Sequence, residues 1–201
     1  MAPNRSVADS RSVIDCRNLL TDQLMIAKSW QEKAASTQDV FARFFFLYTA
    51  FNALYFAWAK AGRQGNDEKQ QIEYLLKKLP GITATEILDG VSTEIQFFLA
   101  RNTPIRDMRN QGCNDPLQGE VSDDRRTAVW DDLRGGQEGE VSAKRLVALG
   151  KVVYFVLCNL VHGSKAERRG DDKDVITNAI GPLCEILCAA VAYTETELGR
   201  R

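Results

Sequence analysis

Apolar residues in this chain recur every three or four positions rather than every second one, the period of helices. The first such stretch runs from about Ala8 to Ala35, with Val13, Leu19, Leu20, Leu24, Met25 and Ile26 as its apolar positions. Ser36-Thr37-Gln38-Asp39 then offers side-chain oxygens that stop one helix and cap the next. The second helix is the aromatic run FFFLYTAFNALYFAWA, Phe44 to Ala59, ending near Ala61 and Gly62, where Gly62, Gly65 and Asn66 mark a turn. A third, amphipathic helix spans about Asp67 to Leu79 on Ile72, Leu75, Leu76 and Leu79, and Pro80-Gly81 ends it. Thr83-Ala84-Thr85-Glu86 reads as a capping box that opens a fourth helix, which carries Ile87, Leu88, Val91, Ile95, Phe98 and Leu99 to about Asn102.

The pattern changes over residues 103–137, where Pro104, Gly112, Pro116, Gly119, Gly135 and Gly136 interrupt a polar stretch. A long loop with short helical pieces near Ile105–Arg109 and Asp124–Leu133 is expected, and loops of this length in a domain are often functional. A fifth helix follows from about Glu140 to His162, using Val147, Val153, Val156, Leu157 and Leu160. The last helix, capped by Asp171, Asp172 or Asp174, runs to about Leu198. Pro182 inside it removes a backbone donor, which predicts a kink near Asn178. No segment alternates with period two, so the expected fold is an all-α bundle, one domain over residues 1–201 with 103–137 as a loop-rich insertion.

Composition narrows the function classes. Of 201 residues, 44% are hydrophobic and 26% charged, ordinary values for a soluble domain. The formal net charge is −1, so no global field draws the protein to nucleic acid or to an anionic membrane, and any such contact needs a local basic patch. The apolar part of the second helix is bounded by Arg43 and Lys60, interrupted by Thr49 and Asn52, and falls short of the ~20 residues of a membrane span. It reads as a core helix, apolar all round. Cys16, Cys113, Cys158, Cys184 and Cys188 are odd in number and form no Cys-x-x-Cys pair, and the polar N-terminus does not resemble a signal peptide. A reduced, cytoplasmic setting is expected, with no membrane anchor. Cys184 and Cys188, four apart on one helix face, read as packing residues. With a single histidine and scattered cysteines, neither a structural zinc site nor any other cofactor is expected.

That single histidine, His162, ends the fifth helix in VLCNLVHGSK. Taken alone it suits a helix C-terminus, with Gly163 as a left-handed cap. Taken with the early Ala50-Phe51-Asn52-Ala53-Leu54-Tyr55 signature and the acid-capped final helix, it resembles the HEPN superfamily (higher eukaryotes and prokaryotes nucleotide-binding). The likeness is to bacterial members whose late helix reads Arg-(Asn/Cys)-Asn-Leu-(Phe/Val)-His-Gly. Asn159, Leu160, His162, Gly163 and Lys165 fall on that pattern. The resemblance implies a metal-independent endoribonuclease, a component of toxin–antitoxin or anti-phage defence systems, and a two-fold homodimer with a composite groove. RNA is the implied partner, with a cognate antitoxin or a defence-system protein as a second.

The chain departs from the family at one position. The family motif is Arg, four residues, then His, and the Arg position is occupied by Leu157. In the implied reaction the ribose 2′-hydroxyl attacks the adjacent phosphate, His162 moves protons, and the arginine stabilises charge on the phosphoryl oxygens. Leucine supplies no such charge. By analogy with losing one oxyanion donor, the cost is roughly 100- to 1,000-fold in rate or more. Residue 157 also lies about 140° around the helix from 162, so Asn159 and Cys158 are the closer neighbours, and Asn159 can orient the imidazole. Lys165, Arg168 and Arg169 are either an ordinary solvated loop or phosphate contacts beside the histidine. Arg101, Arg106 and Arg109 form a second basic cluster that could replace the lost guanidinium. Two functions therefore stand: an endoribonuclease attenuated or inactivated by Leu157, and a non-catalytic module of the same fold that binds RNA or a protein partner.

Overall fold

The computed structural model describes residues 5–100, 124–135, 139–161 and 170–200. They form eight helices and no strand among the described residues: α1 (Arg5–Ala35), α2 (Val40–Ala61), α3 (Glu68–Leu76), α4 (Gly81–Gly90), α5 (Ser92–Ala100), α6 (Asp124–Arg134), α7 (Gly139–Val161) and α8 (Gly170–Gly199). The expectation of an all-α protein is met.

Local chemistry explains where these helices start and stop. The carboxylate of Asp39 accepts from the Ala42 amide and opens α2, and Asp67 does the same for Gln70 at the start of α3. α3 ends at Leu76, three residues before the expected Leu79. Its last amides, Lys78 and Leu79, bond back to Leu75 and Leu76, a tightened turn that still buries Leu79. The expected capping box at Thr83–Glu86 does not form. α4 begins two residues earlier, directly after Pro80 and with no side-chain cap, and the Thr85 hydroxyl bonds to the Gly81 carbonyl (3.2 Å) and to Ser142 of α7 (3.1 Å). The expected single fourth helix is two, broken at Val91, whose φ of −116° and ψ of 26° leave the helical range. Gly90, a poor helix former, precedes the break. The change of direction lets Leu88, Val91, Ile95 and Phe98 all reach the core.

Two helices are central. α2 packs against α1, α3 and α8, and α7 against α3, α4, α6 and α8. In α7 every residue from Val152 to Asn159 is buried, so that stretch is enclosed on all sides. α6, inside the segment expected to be loop-rich, sends Trp130 and Leu133 into the same core. Gly150 makes the α3–α7 crossing possible, since a Cβ there would stand 2.5 Å from Leu76 Cδ1. α8 runs unbroken through Pro182. Toward its end the buried Thr194 hydroxyl accepts from the indole of Trp58 (2.9 Å) and donates to the Ala190 carbonyl (2.7 Å). By length and apolarity alone, α2 and the Lys173–Gly199 part of α8 could each cross a membrane, and half of each such window lies buried in the bundle.

Candidate functional site

On α2, Tyr48, Asn52 and Tyr55 follow one another at intervals of four and three, so they share one side of a largely apolar helix. The Asp67 cap begins α3 beside them and presents Glu68 from its first turn. One carboxylate oxygen of Glu68 gathers three donors: the Tyr55 hydroxyl, the Tyr48 hydroxyl at 3.4 Å and the Asn52 amide at 3.5 Å. The two phenolic oxygens are 3.3 Å apart, and the Asn52 amide also donates to Tyr55. A charge-assisted network of this kind fixes its members in place.

The electrostatics keep both phenols protonated. Burial pushes the Tyr55 hydroxyl far above its ordinary range, and its bond to the Glu68 carboxylate pushes it further. Tyr48 is raised first by burial, then by Tyr55 and Glu68, with a smaller push from the Cys158 thiol. Neither phenol is a proton shuttle near neutral pH. Both act as fixed donors that orient the carboxylate.

The cluster abuts the last turns of α7. Cys158 is near Tyr48, and the next residue of α3, Lys69, holds its ammonium over the rings of Tyr154 (5.8 Å) and Phe155 (5.2 Å). Of the site residues expected from the sequence, Leu157 and Asn159 lie on these turns. Both are buried, Leu157 at 9% exposure within the apolar core and Asn159 at 3%. Two positions apart, they point to opposite sides of the helix, so α7 does not bring them together. His162, Gly163, Lys165, Arg168 and Arg169 lie outside the described residues, as do Arg101, Arg106, Arg109, Cys113 and the helical piece near Ile105. α7 itself ends on Val161, whose side chain is exposed.

Sequence reasoning did not single out Tyr48 or Glu68, and it took Asn52 and Tyr55 only as parts of a signature and Asn52 as a break in the apolar run. A signal was present: three polar-tipped residues at spacings of four and three on one face of an apolar run. Of the two cysteines expected to pack, Cys184 is half-buried beside Arg43 of α2, and burial raises its thiol, whereas Cys188, one turn on, is exposed and accepts from the Gln31 amide (3.4 Å), so it is not a packing residue. Among the described residues no group of three or more His, Cys, Asp or Glu side chains is arranged to hold a metal ion. No protein-family model, curated protein or solved structure matches the chain.

Proposed function

We propose that the protein is an RNA-acting helical domain of the HEPN type. More particularly, it is a metal-independent endoribonuclease of a toxin–antitoxin or anti-phage system, working in the cytoplasm as a homodimer. The observation that carries this reading is the run Asn159-Leu160-Val161-His162-Gly163, which starts on the last turn of the penultimate helix and precedes the long final helix. The Tyr48–Tyr55–Glu68 cluster beside those turns adds fixed polar groups at the same end of α7.

In this reading His162 takes the proton of the ribose 2′-hydroxyl or returns one to the leaving 5′-oxygen. Asn159 positions the imidazole. Lys165, Arg168 and Arg169 meet the phosphates. Leu157 stands where a guanidinium would stabilise the phosphoryl oxygens, and the reaction is slowed accordingly.

The burial of Leu157 favours a second reading, a module of the same fold that binds RNA or a protein partner without cleaving. A side chain at home in the core is what a chain adapted to do without the cation would carry. Replacing Leu157→Arg and assaying tRNA, rRNA and mRNA cleavage with EDTA present separates the two. Cleavage that appears with the arginine and disappears on adding His162→Ala supports the endoribonuclease. Absence of cleavage in both forms supports the binding module.

A further inference from the structure

The outward face of α2 carries Phe45, Thr49, Asn52 and Phe56, at intervals of four, three and four. Two large rings on this strip are open to solvent, Phe45 at 45% and Phe56 at 37%. At about 1.5 Å per residue they stand ~16 Å apart along the helix. Asn52 lies between them, tied to the tyrosine–Glu68 cluster on its inner side.

Cations accompany the aromatic rings. Where α1 meets α2, Trp30 stacks on Phe46 with centroids 5.4 Å apart, and Phe46 meets Phe45 edge-on. The Lys33 ammonium lies 5.1 Å from the Trp30 ring and 4.7 Å from the Phe46 ring. At the other end Lys60 lies 5.5 Å from the Phe56 ring and bonds to the Asn66 amide oxygen at 2.9 Å. Among the described residues neither ammonium is paired with a carboxylate. On a chain of net charge −1, Lys60 puts a cation beside the exposed Phe56 ring, and Lys33 puts one over Trp30 and Phe46, next to the exposed Phe45.

We propose that this strip is a platform for single-stranded RNA: bases stack on Phe45 and Phe56, Lys33 and Lys60 meet the phosphates, and Asn52 contacts a base edge between them. The inference rests on the RNA reading above and assigns that reading a binding surface separate from His162. Stacking on aromatic rings flanked by cations is how sequence-tolerant single-strand sites work. A stacked strand advances about 3.4 Å per nucleotide, so ~16 Å takes about five nucleotides. A second copy fits the strip less well. A two-fold contact pairs a surface with itself, which here would oppose unpaired lysines, and the neighbouring Glu68 already gathers three donors on one oxygen.

The test is fluorescence anisotropy of a fluorescein-labelled single-stranded RNA decamer with the full chain, alongside sedimentation to follow oligomeric state. Phe45→Ala and Phe56→Ala are each expected to weaken binding about five- to a hundred-fold with an unchanged helical circular-dichroism spectrum. Lys33→Ala and Lys60→Ala should each reduce the slope of log K against log salt by about 0.7. Tight RNA binding that survives both phenylalanine substitutions overturns the platform and leaves the RNA reading intact. Sedimentation showing a dimer that Phe45→Ala and Phe56→Ala dissociate also overturns it, assigning the strip to a second copy. If the wild-type chain neither binds the decamer nor cleaves RNA after Leu157→Arg, the RNA reading itself fails.

Discussion

The phenol of Tyr55, in the fifth turn of α2, donates to the carboxylate of Glu68, the first residue of α3, and so fixes the start of one helix to the side of another. Removing that donor tests how much the junction depends on it. Tyr55→Phe keeps the ring and its edge contact with Phe51 but removes the shortest of the three bonds gathered on that Glu68 oxygen, leaving there the longer ones from Tyr48 and Asn52. Hydrogen bonds to charged groups contribute about 1.5–3 kcal/mol, so urea unfolding should show a loss in that range. Glu68→Gln should cost less, because an amide oxygen still accepts. Because both phenols are held far above their ordinary range, the Tyr55→Phe penalty should stay constant between about pH 6 and pH 9.

Glycine positions make a paired test of packing. Helix propensity alone predicts that Gly→Ala stabilises by about 0.5–1 kcal/mol. At Gly81, the first residue of α4, a Cβ would meet open space, and Gly81→Ala should raise the melting temperature. At Gly150 the same atom would press on Leu76 Cδ1 at 2.5 Å and Ile72 Cγ2 at 3.3 Å. Both neighbours are fully buried and have little room to retreat, so Gly150→Ala should destabilise by about 1–3 kcal/mol despite its better propensity. Thermal unfolding of the two variants should move in opposite directions.

Much of the fold was readable because its signals are local. The three-to-four periodicity marks α1, α2, α7 and α8, and Asp39 shows the start of α2 by its chemistry. What was missed depends on tertiary contact. The α4–α5 break at Val91 follows from burying residues on both sides of it, which no local pattern encodes. The capping box at Thr83 and Glu86 was a correct local pattern in the wrong place, since α4 already begins at Gly81 and puts Thr83 inside the helix. Glu68 escaped notice for the same reason: its partners Tyr48 and Tyr55 lie 20 and 13 residues earlier and meet it only when α2 and α3 pack. The expected centre at His162 was read from a motif and falls outside the described residues.

An ion-pair set joining α3 to α7 should make stability depend on acid. Glu73 accepts from Lys151 at 2.8 Å through one oxygen and pairs with Lys77 at 2.6 Å through the other. The bond from Lys151, then that from Lys77, holds the Glu73 carboxyl below its ordinary range. A carboxyl depressed in the folded state adds stability above its unfolded pKa of about 4.3, and that stability is lost as pH falls through the lower folded value. Lys151→Met removes the better-buried cation and keeps an apolar stem. At pH 7 it should cost about 0.5–1 kcal/mol. As pH falls through that lower folded value and Glu73 takes up its proton, wild type and variant should converge in denaturant midpoint. A penalty equally large at pH 7 and in acid would mean that the stem, not the ion pair, carries the effect.

Leu157 offers a stability test that bears on both functional readings. Its side chain is 9% exposed within the apolar core, close to the end of α7. An arginine there must either bury its guanidinium or run its stem along the helix until the charge reaches water. The first course costs several kcal/mol, since a guanidinium cannot shed its charge, and the second much less. Leu157→Met, of similar volume and uncharged, should cost under about 1.5 kcal/mol and serves as the reference. If Leu157→Arg unfolds near the Leu157→Met midpoint, the position has an open path to solvent and accepts the cation that phosphoryl chemistry needs. If it unfolds well below, the surrounding core is closed to charge, and the binding module becomes the better account of the chain.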